Sequence, residues 1–131
     1  MTPPKGDPIL LKDAGLRKHF PITKGLFRRP VGYVKAVDDV SFQVRRGETL
    51  GVVGESGCGK TTMGLSIVQL VQPTSGRIQL SDNGGWMEVN SKTIRHLRDK
   101  MQIVFQDPFS SLDPRMRIRD IVAEPLQAHG M

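Results

Sequence analysis

The run Gly54-Glu55-Ser56-Gly57-Cys58-Gly59-Lys60-Thr61 constrains this chain more than any other feature. It fits GxxxxGK[ST] without a gap, the pattern of a phosphate-binding loop between a strand and a helix. The residue types follow from the chemistry. Glycines let the backbone fold back and bring its amides against phosphate oxygens. The helix that follows adds its unpaired N-terminal donors and the positive end of its dipole. Lys60 supplies a cation for the β- and γ-phosphates, and the Thr61 hydroxyl can complete a Mg²⁺ octahedron. Thr62 is placed for a further bond to phosphate. Cys58 reads either as a small space-filling residue or as a thiol made more acidic by the loop's dipoles.

The flanking pattern agrees with that reading. Thr49 to Val53 is a short apolar run, suited to a strand covered on both sides. Met63, Ile67, Leu70 and Val71 lie on one face of a helix beginning at Lys60, and Pro73-Thr74-Ser75-Gly76 ends it. Elsewhere the sequence predicts strands over Ile9–Phe20, Val34–Val44 and Arg77–Leu80. It predicts a loop or hairpin insertion over Pro21–Gly32, and turns at Arg46-Gly47-Glu48 and Asn83-Gly84-Gly85. Ser91–Lys100 reads as a polar helix, Met101–Gln106 as a buried strand, Asp107–Pro114 as a loop, and Arg117–His129 as a helix interrupted at Pro125. The first eight residues read as a loose tail. The sum is a mixed α/β domain with helices crossing between strands.

A chain of 131 residues has room for one core. No apolar run approaches the length of a membrane span, and the N-terminus has no secretory pattern. One cysteine excludes an internal disulfide, and no metal-ligand cluster is present; a reducing cytoplasm fits. The charge is +6. Arg17, Lys18, Lys24, Arg28 and Arg29 stand in a stretch without an acid, and Arg115, Arg117 and Arg119 form a second group. Such charge serves nucleic acid, anionic lipid heads, a phosphate ligand or simply a solvated face. Stacking aromatics are few and no nucleic-acid motif accompanies the cations.

Around the loop, "VKAVDDVSFQVRRGETLGVVGESGCGKTTMG", "QPTSGRI" and "MQIVFQDPFSSLDPR" resemble the ATP-binding subunits of ABC transporters. The wording is nearest to the branch serving dipeptide, oligopeptide and nickel importers. The resemblance covers nearly all of residues 9–131. It implies a P-loop NTPase fold of the ABC type, with an ATP-binding core over 9–106 that includes the insertion 21–33, and the start of a helical subdomain over 107–131. It implies ATP and Mg²⁺ as cofactors, held by Gly54, Glu55, Ser56, Gly57, Cys58, Gly59, Lys60, Thr61 and Thr62. Phe20 is implied to stack on adenine, with Tyr33 as the competing aromatic. Lys60 and Gln106 are the implied catalytic residues, and Thr61 and Gln106 the Mg²⁺ contacts. The implied partners are integral membrane permease subunits, a second ATP-binding subunit and, indirectly, an extracytoplasmic solute-binding protein. No nucleic acid is expected, and the implied location is peripheral, on the cytoplasmic face of the cell membrane.

Parts of the family pattern are missing: an LSGGQ-like signature, a strand ending in Asp-Glu, and a later switch histidine, since His129 comes too early. The expectation is therefore an N-terminal portion of a longer subunit, marginally stable or prone to aggregate alone and nearly inert in hydrolysis. An ABC-type ATPase acting on nucleic acid or the ribosome and a non-catalytic remnant are the alternatives. A GTPase would need an NKxD motif, which is absent.

Overall fold

The computed structural model describes residues 9–25, 29–82, 84–107, 112–128 and 130. The expected tail 1–8, Arg28 of the first basic group, Asn83 of the predicted turn, residues 108–111 of the Asp107–Pro114 loop and His129 lie outside them. The chain divides into two compact units, Met1–Leu97 and Arg98–Met131, taken here in turn.

The first unit is built on β1 (Ile9–Lys24), β2 (Arg29–Arg45), β3 (Ser75–Asp82) and β4 (Gly85–Glu88). They form one sheet in the order β2-β1-β3-β4, and every pairing is antiparallel. The insertion takes the hairpin form: the strands run on through Pro21–Lys24 and Arg29–Val34, pairing Phe20 with Val34 and Ile22 with Gly32. Only residues 11–17 of β1 also pair with β3, so the outer half of the hairpin is a two-stranded ribbon. Kinks in β1 allow this geometry. Gly15, at φ 65°, sits at a bulge where its amide donates to the Ser41 hydroxyl at 2.8 Å. Gly76, at φ 108°, brings β3 against β1 so closely that a β-carbon there would lie 2.7 Å from the Gly15 carbonyl oxygen and the Leu16 α-carbon.

The core of this unit is Leu16, Val37, Ile78, Leu80, Val89, Ile94 and Leu97. Strand alternation places Leu11 and Asp13 on the same face as their partners Leu80 and Ile78. On the other face the Lys12 ammonium lies 3.9 Å from the centre of the Trp86 ring.

Helix α1 (Lys60–Ile67) starts where the sequence places it but ends earlier than predicted. Gln69 takes a left-handed conformation (φ 57°), held by its side-chain amide donating to the Ser66 and Val89 carbonyls. Leu70 therefore leaves the apolar stripe and is 56% exposed. The predicted helix Ser91–Lys100 contracts to α2 (Ile94–Leu97), begun by Asn90, whose side-chain oxygen accepts from the Lys92 and Thr93 amides.

Two predicted strands are not found. Neither Thr49–Val53 nor Met101–Gln106 pairs with any strand among the described residues. An apolar run states only that its side chains prefer burial, whereas a strand also needs a neighbour to complete its ladder. Without one, Val53 is 94% and Val104 95% exposed. The mixed α/β character expected from the sequence is present among the described residues, with α1 crossing between β2 and β3 and every strand pairing antiparallel.

In the second unit, α3 (Ile118–Ala128) runs through Pro125 instead of breaking there. It buries none of its residues, and Ile118, Val122 and Leu126 form an exposed stripe. No described helix is long and apolar enough to cross a membrane.

Candidate nucleotide site

The turn over residues 54–59, just before α1, is shaped by two glycines in left-handed conformations, Gly57 (φ 80°) and Gly59 (φ 100°). Gly59 is the N-cap of α1, and its carbonyl accepts the Met63 amide at 2.8 Å. A β-carbon at Gly59 would lie 1.9 Å from the Ala36 carbonyl oxygen of β2. One at Gly54 would lie 2.7 Å from the Cys58 sulfur. These positions thus require glycine for different reasons: Gly59 for its contact with the hairpin, and Gly54 for closure of the loop on itself.

Lys60 reaches back over this turn. Its ammonium donates to the Gly54 and Glu55 carbonyls at 2.7 Å each, and Cys58 Sγ lies 3.6 Å away. The cation is thereby fixed above the loop. The start of α1 has no side-chain cap bond and no acid in its first turn. Its N-terminal donors and dipole are unopposed by a carboxylate, which suits an anion. Thr61 and Thr62 occupy that first turn; the Thr62 carbonyl accepts the hydroxyl of the fully buried Ser66 at 2.8 Å.

A cleft of about 370 Å³ lies beside the loop. Cys58, Gly59, Lys60 and Met63 face Lys35, Ala36 and Asp38 of β2 across it. Asp38 accepts from Lys35 and from His19 at 3.0 Å each, and Arg17 stands 3.9 Å away. The Lys35 hydrogen bond foremost, then that of His19, holds the Asp38 carboxyl below its ordinary range. The charge of Asp38 is therefore matched by its own neighbours rather than opposed to an incoming anion. This β2 wall was absent from the sequence prediction. Its one sequence signal is Ala36, a small residue where the loop approaches the strand.

The two competing aromatics are separated by the ribbon. Phe20 shares a face with Val34, whereas Tyr33 lies on the opposite face with Pro21. Phe20 is 39% exposed, which excludes an ordinary core role, and the Lys18 ammonium lies 4.8 Å from its ring centre. Gln106 is exposed and belongs to the second unit. The first unit thus brings together Gly54 to Thr62 and the β2 wall.

The sequence of this chain finds counterparts among known proteins. Residues 37–129 match the ABC transporter family. The oligopeptide transport ATP-binding protein AppF of Bacillus subtilis is 48% identical over 100% of the chain and 40% of its own length. The dipeptide transport ATP-binding protein DppF of Haemophilus influenzae is 49% identical over 89% of the chain and 35% of its length. That of Escherichia coli is 44% identical over 89% and 34%. The chain therefore spans 34% to 40% of the length of these relatives.

Proposed function

The chain belongs to the ABC transporter family, and from that premise we propose that it binds ATP with Mg²⁺ as part of the energising subunit of a peptide importer. The observation that carries ATP binding is the ammonium of Lys60, fixed over a glycine turn at the uncapped start of α1. In this reading Gly54 to Gly59 wrap the phosphates with main-chain amides, Lys60 exchanges a loop carbonyl for a phosphate oxygen, and Thr62 adds a hydroxyl. Thr61 and Gln106 are the proposed Mg²⁺ contacts, and Lys60 and Gln106 the residues that serve hydrolysis in the whole subunit. Phe20 is the proposed adenine platform. The bound nucleotide supplies the phosphoryl group whose transfer to water releases the energy.

Peptide import rests on the names of the relatives, which are oligopeptide and dipeptide transport ATP-binding proteins. Permease subunits, a second ATP-binding subunit and, indirectly, an extracytoplasmic solute-binding protein are the partners in this reading. The location is peripheral, at the cytoplasmic face of the cell membrane. Calorimetry tests the nucleotide directly. Mg-ATP binds with heat and Mg-GTP competes poorly; Lys60→Ala loses the heat while circular dichroism stays unchanged. An unchanged affinity in Lys60→Ala refutes the proposal.

A further inference from the structure

From Ala14 to Val37 the chain carries six lysines and arginines and no acid. The structure gathers part of this charge at the outer half of the β1–β2 ribbon. Lys24 and Arg29 stand directly opposite each other as a cross-strand pair. Like charges in that position repel and destabilise a hairpin, and no carboxylate in this stretch offsets them. Beside them are exposed apolar side chains: Ile22 is 47%, Val31 62% and Tyr33 61% exposed. They do not form one face. Ile22 shares the Phe20 face and Tyr33 lies on the other, while Val31 falls unpaired at the register shift between Ile22 and Thr23.

That distribution selects the partner. Apolar groups on both faces with cations among them suit a surface that can surround the ribbon. An anionic lipid surface surrounds a protruding finger, takes apolar groups on both sides among its upper acyl chains, and pairs its headgroups with the cations. Tyrosine is suited to that boundary, with an apolar ring and a hydroxyl that stays wet. The depth is bounded as well. The outer ribbon pairs with neither β3 nor β4, so its open edges need polar partners and cannot enter the hydrocarbon core. We propose that the outer half of the β1–β2 ribbon, through Lys24, Arg29, Ile22, Val31 and Tyr33, docks at headgroup depth on an anionic phospholipid surface.

The test is co-sedimentation of the full chain with vesicles of phosphatidylcholine alone or mixed with phosphatidylglycerol, at low and moderate salt. Binding appears only with the anionic lipid and weakens with salt. Lys24→Gln with Arg29→Gln weakens it roughly thirtyfold. Ile22→Ser with Val31→Ser also weakens it although the charge is unchanged. Arg115→Gln with Arg117→Gln, which removes equal charge elsewhere, leaves it nearly intact; circular dichroism checks each variant's fold. The proposal is overturned if neither vesicle binds, or if the Arg115/Arg117 variant loses as much as the ribbon variant. Full retention of vesicle binding by the serine variant also overturns it. Binding of polyglutamate without vesicle binding would assign the ribbon to an acidic protein and overturn it too.

Discussion

Replacing Asp13 by asparagine should stabilise the protein, and only above mildly acidic pH. Asp13 lies in β1 between Phe42 of β2 and Ile78 of β3 and is 4% exposed. Neither carboxylate oxygen has a well-formed hydrogen bond. Burial pushes its carboxyl up from an ordinary 3.8 to about 6, against a smaller downward pull from the adjacent Ala14 amide. A rise of that size corresponds to at most roughly 3 kcal/mol between the charged and neutral forms. The folded protein holds this proton more tightly than the unfolded chain. Below about pH 4 both states are protonated and Asp13 carries no ionisation penalty. Between about pH 4 and 6 the penalty grows, and above about pH 6 it is complete and constant. Stability therefore falls with rising pH across that window. An asparagine amide never ionises, so Asp13→Asn gains up to about 3 kcal/mol at neutral and alkaline pH and almost nothing near pH 4. Urea titrations of both proteins at several pH values measure the difference directly. An equal gain at every pH, or a loss at alkaline pH, would refute the reasoning.

Other substitutions probe the site and the exposed segments. Gly59→Ala places a β-carbon 1.9 Å from the Ala36 carbonyl oxygen and strains a left-handed residue, so its midpoint in urea should drop steeply, whereas Gly25→Ala meets open space and costs only about 1–2 kcal/mol for its φ of 82°. Phe20→Ala should weaken Mg-ATP binding by about 0.5–1.5 kcal/mol in calorimetry and Tyr33→Ala should not, because the rings lie on opposite faces; the reverse order would exchange their roles. Val53→Asp with Val104→Lys should lower concentration-dependent self-association in light scattering, since both valines are almost fully exposed in unpaired segments.

What the sequence revealed and what it hid have separate causes. The glycine turn before α1 was legible because its shape is written in local backbone needs: Gly57 and Gly59 at positive φ, and Lys60 at the first position of a helix. The hairpin was legible only as one of two options, since Pro21 and Gly32 signal a turn as readily as a strand interior. Thr49–Val53 and Met101–Gln106 were misread as strands because pairing is a property of two segments, and hydropathy reports on one. The end of α1 was misplaced because Gln69, a residue with no strong turn preference, takes the left-handed conformation through bonds to Ser66 and to the distant Val89 carbonyl. The wall formed by Lys35, Ala36 and Asp38 carries no motif, and only the fold brings it to Lys60.

The abutment of Gly59 on the Ala36 carbonyl joins two parts of the molecule without a cushioning side chain. Main chain rests on main chain there, and such a joint has almost no slack. A shift of the glycine turn must be passed to the ribbon or resisted by it. The long arm beyond Ala36 thus behaves as a pointer on a stiff pivot, and a small rearrangement of the turn would be magnified at its far end.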